Sequence, residues 1–236
     1  MKCIVTCSGK GGTGKSCVAA YTGAALAKAG KKTLLVELGA TDRSLELILD
    51  VKDAAFGAID FFAERCDAED AMVRVEKFPG LLFMPSGGGQ PSQGEGKIQM
   101  LLEAAREYDF IIVDGADLSA LPVKLCDVFL LVVTPDTLSV QAAAYAAGHL
   151  YKAGAKEVRL VINNVPPRII PIKGAEDFDD VIDIVGAQLI GVIPTSQKLA
   201  YSSNNAQPLD PDSLTVKIFE NLAARLMGHR RPLLIR

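Results

Sequence analysis

Eight residues constrain the fold more than any others in the chain: Gly9-Lys-Gly-Gly-Thr-Gly-Lys-Ser16. They follow a short apolar run, Cys3–Thr6, and open an Ala-rich stretch, Lys15–Ala29, that stops at Gly30. The order strand, glycine-rich loop, helix and the spacing G-x-x-x-x-G-K-S together describe a phosphate-binding loop. Gly9, Gly11, Gly12 and Gly14 free the backbone to turn its N–H groups inward. Those donors and the positive end of the following helix hold polyphosphate oxygens. Lys15 adds a point charge at the terminal phosphates, and the Ser16 hydroxyl is a ligand for the Mg²⁺ that the phosphates share.

The rest of the chain suits such a loop. Apolar runs rich in Val, Ile and Leu recur at Cys3–Thr6, Thr33–Glu37, Leu81–Met84, Phe110–Asp114, Val128–Thr134, Val158–Asn163 and Leu189–Ile193. They show little polar alternation, as strands buried on both faces do. Helical patterns fill the gaps at Lys15–Ala29, Ile98–Glu107, Leu138–Tyr151, Asp177–Val185 and Ser213–Met227. This alternation predicts an α/β fold, a doubly wound and mostly parallel sheet flanked by helices with right-handed crossovers. At 236 residues the chain reads as a single P-loop domain over 1–236, with a short basic and apolar tail at 228–236. Ser86–Gly96 holds five glycines and a proline. It reads as a mobile surface connector at the carboxyl edge of the strands.

Composition excludes several classes. The net charge of −3 argues against nucleic acid as the main ligand. No apolar run approaches the ~20 residues of a spanning helix, and no signal peptide precedes the glycine loop. Five cysteines without framework spacing indicate a reducing, cytoplasmic setting. Cys3 and Cys7 share one face of a strand and are expected to be buried. Cys17, in the first turn of the phosphate-binding helix, sits where a thiol pKa can be lowered, but it reads better as a small packing residue. The two histidines, His149 and His229, form no ligand pair.

Lys10 is not required by the basic loop motif. With it, Lys10-Gly-Gly-Thr-Gly-Lys-Ser16 resembles the deviant Walker A box of the MinD/ParA-type ATPases. Further segments are similar to that family in the same order. Leu34–Leu49 matches its second strand and switch I, Tyr108–Asp114 its Walker B strand, and Asp127–Asp136 the next strand and loop. Leu160–Pro166 matches the strand whose Asn meets adenine, and Gly191–Pro194 with Gln197 the late strand and loop.

The resemblance implies ATP and Mg²⁺ as cofactors and an ATP-dependent homodimer in which Lys10 reaches the partner's nucleotide. It implies nucleotide contacts from Gly11, Gly12, Thr13, Gly14, Lys15, Ser16, Cys17, Asn163 and Pro194. Asn164 adjoins Asn163 and competes with it for the adenine role. Ser16, Glu37 and Asp114 are the implied metal-site residues, with Asp114 holding a metal-bound water. The implied activity is that of a slow ATPase switch acting through a regulatory partner protein, in cell division or another positioning task.

The chain departs from the family at switch I. MinD-like proteins have Asp-x-Asp there, the second Asp positioning the attacking water; this chain has Glu37-Leu38-Gly39. Asp42, the catalytic candidate, and Asp117 are the available substitutes. If neither serves, the chain binds MgATP and turns it over slowly. Alternatives are a regulatory scaffold that binds ATP with little hydrolysis, and a DNA-partition ATPase. The tail Gly228–Arg236 has three arginines and three large apolar residues, but Pro232 interrupts it, which argues against stable membrane binding.

Overall fold

The computed structural model describes residues 1–39, 44–166 and 177–234. Asp42 and the last two residues of the tail lie outside the described residues. Eight strands form one sheet: β1 (Lys2–Cys7), β2 (Thr33–Glu37), β3 (Val73–Arg74), β4 (Leu81–Met84), β5 (Phe110–Asp114), β6 (Val128–Val133), β7 (Val158–Val165) and β8 (Gln188–Pro194). Their order is β3-β4-β2-β5-β1-β6-β7-β8. All neighbours pair in parallel except β3 with β4.

All seven apolar runs read from the sequence are strands. The eighth, β3, is a two-residue antiparallel edge, too short to leave a periodic signal. The helices are α1 (Lys15–Lys28), α2 (Ser44–Leu49), α3 (Ala58–Phe62), α4 (Glu95–Ala104), α5 (Thr137–Lys152), α6 (Phe178–Val185), α7 (Gln197–Asn205) and α8 (Leu214–Leu226). The three without a sequence expectation are α2, α3 and α7. The first two are short, and α7 is polar over most of its length. Ser196, whose hydroxyl accepts from the Leu199 N–H, is the local signal that α7 begins there.

The inner strands bury both faces, so the sheet divides two apolar layers. On one side Cys3, Val5, Val36, Val113 and Leu131 meet α3, α4, α5 and α6 through Phe61, Leu101, Val140 and Val181. On the other side Ile4, Leu35, Ile112 and Leu130 meet α1, α2, α7 and α8 through Val18, Leu45, Leu199 and Phe219. Helix α1 is buried around most of its circumference, from Val18 to Ala27. Its alanines let it lie close to the sheet while α8 covers its outer side.

β1 lies between β5 and β6. The chain runs from β1 to β2 on one side, and from β5 across to β6 on the other. The carboxyl end of β1 is therefore a topological switch point, where open α/β sheets form their ligand crevice. Residues 8–14 leave the sheet there.

Candidate functional site

The loop at the end of β1 has the backbone its glycines permit. Gly12 and Gly14 have φ of 76° and 89°, in the left-handed region. A Cβ on Gly9 would stand 2.1 Å from the Ala142 carbonyl oxygen of α5, and one on Gly14 would stand 2.3 Å from Asn163 Nδ2. Side chains on Gly11 and Gly12 would meet only open space. The loop is thus fixed from behind by α5 and β7 and open in front.

Gly14 precedes α1 without a capping side chain, and the first turn contains no acid. Other helices take a cap from sequence: Asp136 accepts from the Ser139 N–H, Asp177 from Asp179 and Asp180, and Ser213 from Val216. At α1 the first-turn N–H groups of Lys15, Ser16 and Cys17 are left for an external anion. The Thr13 hydroxyl is buried and has no hydrogen-bond partner among the described residues.

Two carboxylates end adjacent strands beside this loop, since Glu37 and Asp114 are register partners across β2 and β5. Asp114 is buried, and its Oδ1 accepts from the Thr6 hydroxyl at 2.5 Å. Burial raises its pKa, while the hydroxyls of Ser16 and Thr6 and the charge of Lys15 act in the opposite sense. The shift brings Ser16, Lys15 and Asp114 into one electrostatic group.

Glu37 is also buried, and its Oε1 accepts from the Leu45 N–H in the first turn of α2 at 3.1 Å. Its Oε2 has no partner of hydrogen-bonding geometry among the described residues. Burial, with Glu46 and Asp114 nearby, pushes this carboxyl up to about 7.

The pKa of Glu37 has a measurable consequence. In the unfolded chain the carboxyl loses its proton near 4.5, and in the fold near 7. Between these values the folded state binds more protons, so stability falls as pH rises through the window and stays low above it. Glu37→Gln keeps the acceptor for Leu45 and removes the titration. The variant is expected to match wild type near pH 4.5 and to exceed it at pH 8. The gap should grow by about 1.4 kcal/mol per pH unit across the window, read from urea midpoints. Parallel pH profiles for the two proteins would show that burying this charge costs the fold nothing.

These residues fit a nucleotide with Mg²⁺. The orphan Glu37 Oε2, the Asp114 carboxylate and the Ser16 hydroxyl provide oxygen ligands or holders of metal-bound water. No cluster of three or more His, Cys, Asp or Glu among the described residues could hold a metal alone. Mg²⁺ typically keeps waters and phosphates in its shell and needs only one or two protein groups, so a partial site suits it.

The other expected residues fall as follows. Asn163 Nδ2 donates to the Thr13 carbonyl of the loop at 2.8 Å. Asn164 takes φ of 57° at an irregularity between β7 and β8 and is exposed. The bulge therefore separates the two asparagines and places Asn163 on the loop. Pro194 ends β8 opposite Val165, two residues beyond Asn163 on the neighbouring strand.

Lys10 is exposed, and its ammonium stands 3.4 Å from Asp136 Oδ1. The Asp117 carboxylate is occupied by its own turn, accepting from the Ser119 N–H and hydroxyl at 2.9 and 2.7 Å. Those bonds hold its pKa below the ordinary value. Cys17 is a packing residue, as expected, and its thiol pKa is not lowered. Burial raises its thiol pKa, and its Sγ lies 3.5 Å from the Ser203 hydroxyl of α7, so the side chain packs away from the loop. Its backbone N–H remains in the first turn. Cys3 and Cys7 are buried as expected.

Gln93 was invisible in the sequence. It lies in the glycine-rich connector read above as mobile, yet it is buried. Its amide donates to the Leu38 carbonyl at 3.1 Å, and its oxygen accepts from the Asp117 N–H at 2.7 Å. The connector is thus tied to the residues that follow β2 and β5. A lone Gln among glycines gives no periodic signal, and only the tertiary position of its two partners reveals it.

Comparison with known proteins agrees with this geometry. The family model described as the CobQ/CobB/MinD/ParA nucleotide binding domain matches residues 4–209. The septum site-determining protein MinD of Synechocystis sp. is 31% identical over 245 residues, covering 98% of this chain and 91% of its own. MinD in the MinC:MinD cell division complex of Aquifex aeolicus superposes with a TM-score of 0.84 at 29% identity, covering 99% and 98% of the two chains. MinD of Pyrococcus horikoshii, solved with Mg-ADP, superposes with a TM-score of 0.76 at 26% identity over 95% of each chain. With its uncapped loop at the switch point and a whole-length likeness to MinD, the chain belongs to the CobQ/CobB/MinD/ParA nucleotide-binding family as a MinD-like P-loop protein.

Proposed function

We propose that this protein is an ATP-operated switch of the cytoplasm, in which nucleotide state sets whether two copies join and engage a partner protein. The observation that supports it best is Lys10. It stands at the open front of the loop, outside the groups that hold the loop's back, and its bond to Asp136 joins two side chains exposed by 44% and 42%. Such an exposed pair is worth under about 1 kcal/mol. Release of Lys10 toward a second subunit's phosphates is therefore inexpensive.

Each residue has a role in this reading. The backbone of Gly11, Gly12, Thr13 and Gly14, with the first N–H groups of α1, binds the phosphate chain. Lys15 neutralises its terminal charge. Ser16, Glu37 and Asp114 would hold Mg²⁺, Asp114 through a metal-bound water. Asn163 and Pro194 lie on the strand ends that would face the base. Mg²⁺ when bound supplies charge neutralisation across the phosphates. A partner protein is inferred by likeness to the Aquifex aeolicus MinD, which was solved with MinC.

Light scattering after gel filtration tests the switch. With ATP and Mg²⁺ the protein is expected to run as a dimer, and with ADP as a monomer. Lys10→Ala is expected to bind ATP with near wild-type affinity and remain monomeric. A monomer in both nucleotides, or an ATP dimer that survives Lys10→Ala, would remove the switch reading. A second reading is favoured by Gly39: a regulatory scaffold that binds ATP and scarcely hydrolyses it. Absence of phosphate release from an ATP dimer saturated with its partner would select the scaffold.

A further inference from the structure

A second cavity lies beside the later turns of α1, between α1, α8, the turn before β4 and the segment 208–211. Its volume is about 480 Å³. Its walls are mainly carbon, from Tyr21, Phe78, Phe219, Leu209 and Val216. The Tyr21 ring stacks on Phe219 with centroids 5.3 Å apart and planes at 28°. Phe78 meets Tyr21 edge-on at 5.4 Å. This gives the cavity a continuous aromatic wall. Tyr21 is held in place by its hydroxyl, 2.5 Å from the Ser202 hydroxyl.

Lys77 lines the same cavity and is half-buried. Its ammonium lies 5.8 Å from the Tyr21 ring centroid and 5.3 Å from that of Phe78. It donates to the carbonyls of Ile48 and Ser202 at 2.9 and 3.2 Å. An ammonium has three donors, so one remains. Lys77 makes no ion pair among the described residues. The other lysine at the cavity, Lys28, is already paired with Glu220 at 2.7 Å. Burial lowers the pKa of Lys77. The Asp50 carboxylate acts on Lys77 only from beyond contact distance and is itself paired with Lys52, so a partly desolvated cation remains that an incoming anion would stabilise. The two carbonyls and two rings hold the charge in position beforehand, which reduces the ordering penalty of binding.

We propose that this cavity is a second ligand site, taking a small molecule with an aromatic body and one carboxylate, its ring against Tyr21, Phe78 and Phe219 and its carboxylate on Lys77. Mostly apolar clefts of this size with one convergent polar group are typical of small-molecule sites. The site is independent of the nucleotide reading, because none of its residues belongs to the phosphate loop.

The test uses 2-naphthylacetate as probe and its uncharged analogue 2-naphthylacetamide as control, both titrated into the full chain by calorimetry. One saturable site is expected for the acid, with affinity at least five-fold above that of the amide. Ala24→Trp, which fills the cavity from α1, is expected to weaken the acid at least ten-fold. Lys77→Met is expected to erase the difference between acid and amide. Thermal unfolding checks each variant, and Val216→Trp replaces Ala24→Trp if the latter does not fold. Absence of saturable binding would overturn the proposal, as would an acid preference that survives Lys77→Met. So would a ligand-free dimer dispersed by the tryptophan variants, since the cavity would then be an interface between copies.

Discussion

Lys15→Ala is expected to abolish ATP uptake, raising Kd at least 100-fold, or about 2.7 kcal/mol. Lys15 is the first residue of α1, and its charge is felt at Cys7 and Asp114. Lys15 stands at the uncapped helix end, where an incoming polyphosphate meets no other side-chain cation from the first turn. A charge-assisted contact of this kind is among the stronger hydrogen bonds available. The fold is expected to survive, because Asp114 keeps the hydroxyls of Thr6 and Ser16. Calorimetry with Mg²⁺ and ATP gives the affinity, and thermal unfolding confirms the fold. Wild-type heat from the variant would dismiss the loop as the nucleotide site.

Gly39→Asp is expected to raise ATP turnover by roughly 100-fold, the lower end of the range for a positioned acid–base group. The substitution restores a carboxylate where relatives position water. The backbone accepts it: Gly39 is outside the left-handed region, and its Cβ would rest 3.4 Å from the Gly115 Cα, an ordinary contact. Gly39→Asn, of similar size without the charge, is expected to give no gain. The reverse position has no such tolerance, since a Cβ on Gly115 would lie 2.5 Å from the Gly39 nitrogen at a φ of 72°. Phosphate release in single-turnover assays decides between the outcomes. Brisk wild-type turnover that neither substitution changes would mean that another group positions the water, and its loss in Asp42→Asn would identify that group as Asp42.

Local features of the site were legible in the sequence, and those made by distant partners were not. The loop from Gly9 to Ser16 is contiguous, and its chemistry follows from its spacing. Glu37 and Asp114 could be found because each closes a buried apolar run, which fixes it at the carboxyl edge. Asn163 was favoured over Asn164 by the resemblance alone, and the bulge that turns the two apart is not revealed by spacing. Cys17 was read from its helix position alone, whereas its thiol is governed by α7, 186 positions away at Ser203. Short elements such as β3 and α3 owe their form to what they pack against, so no pattern within them announces it. Lys77 has the same character, being joined to Ile48 and Ser202 across separate parts of the chain.

The amide of Gln93 has a mechanical consequence. One planar group bridges the exits of two neighbouring strands, which also share the backbone bond from the Leu38 N–H to the Asp114 carbonyl. Displacing either exit therefore costs a buried hydrogen bond that anchors the glycine-rich connector as well.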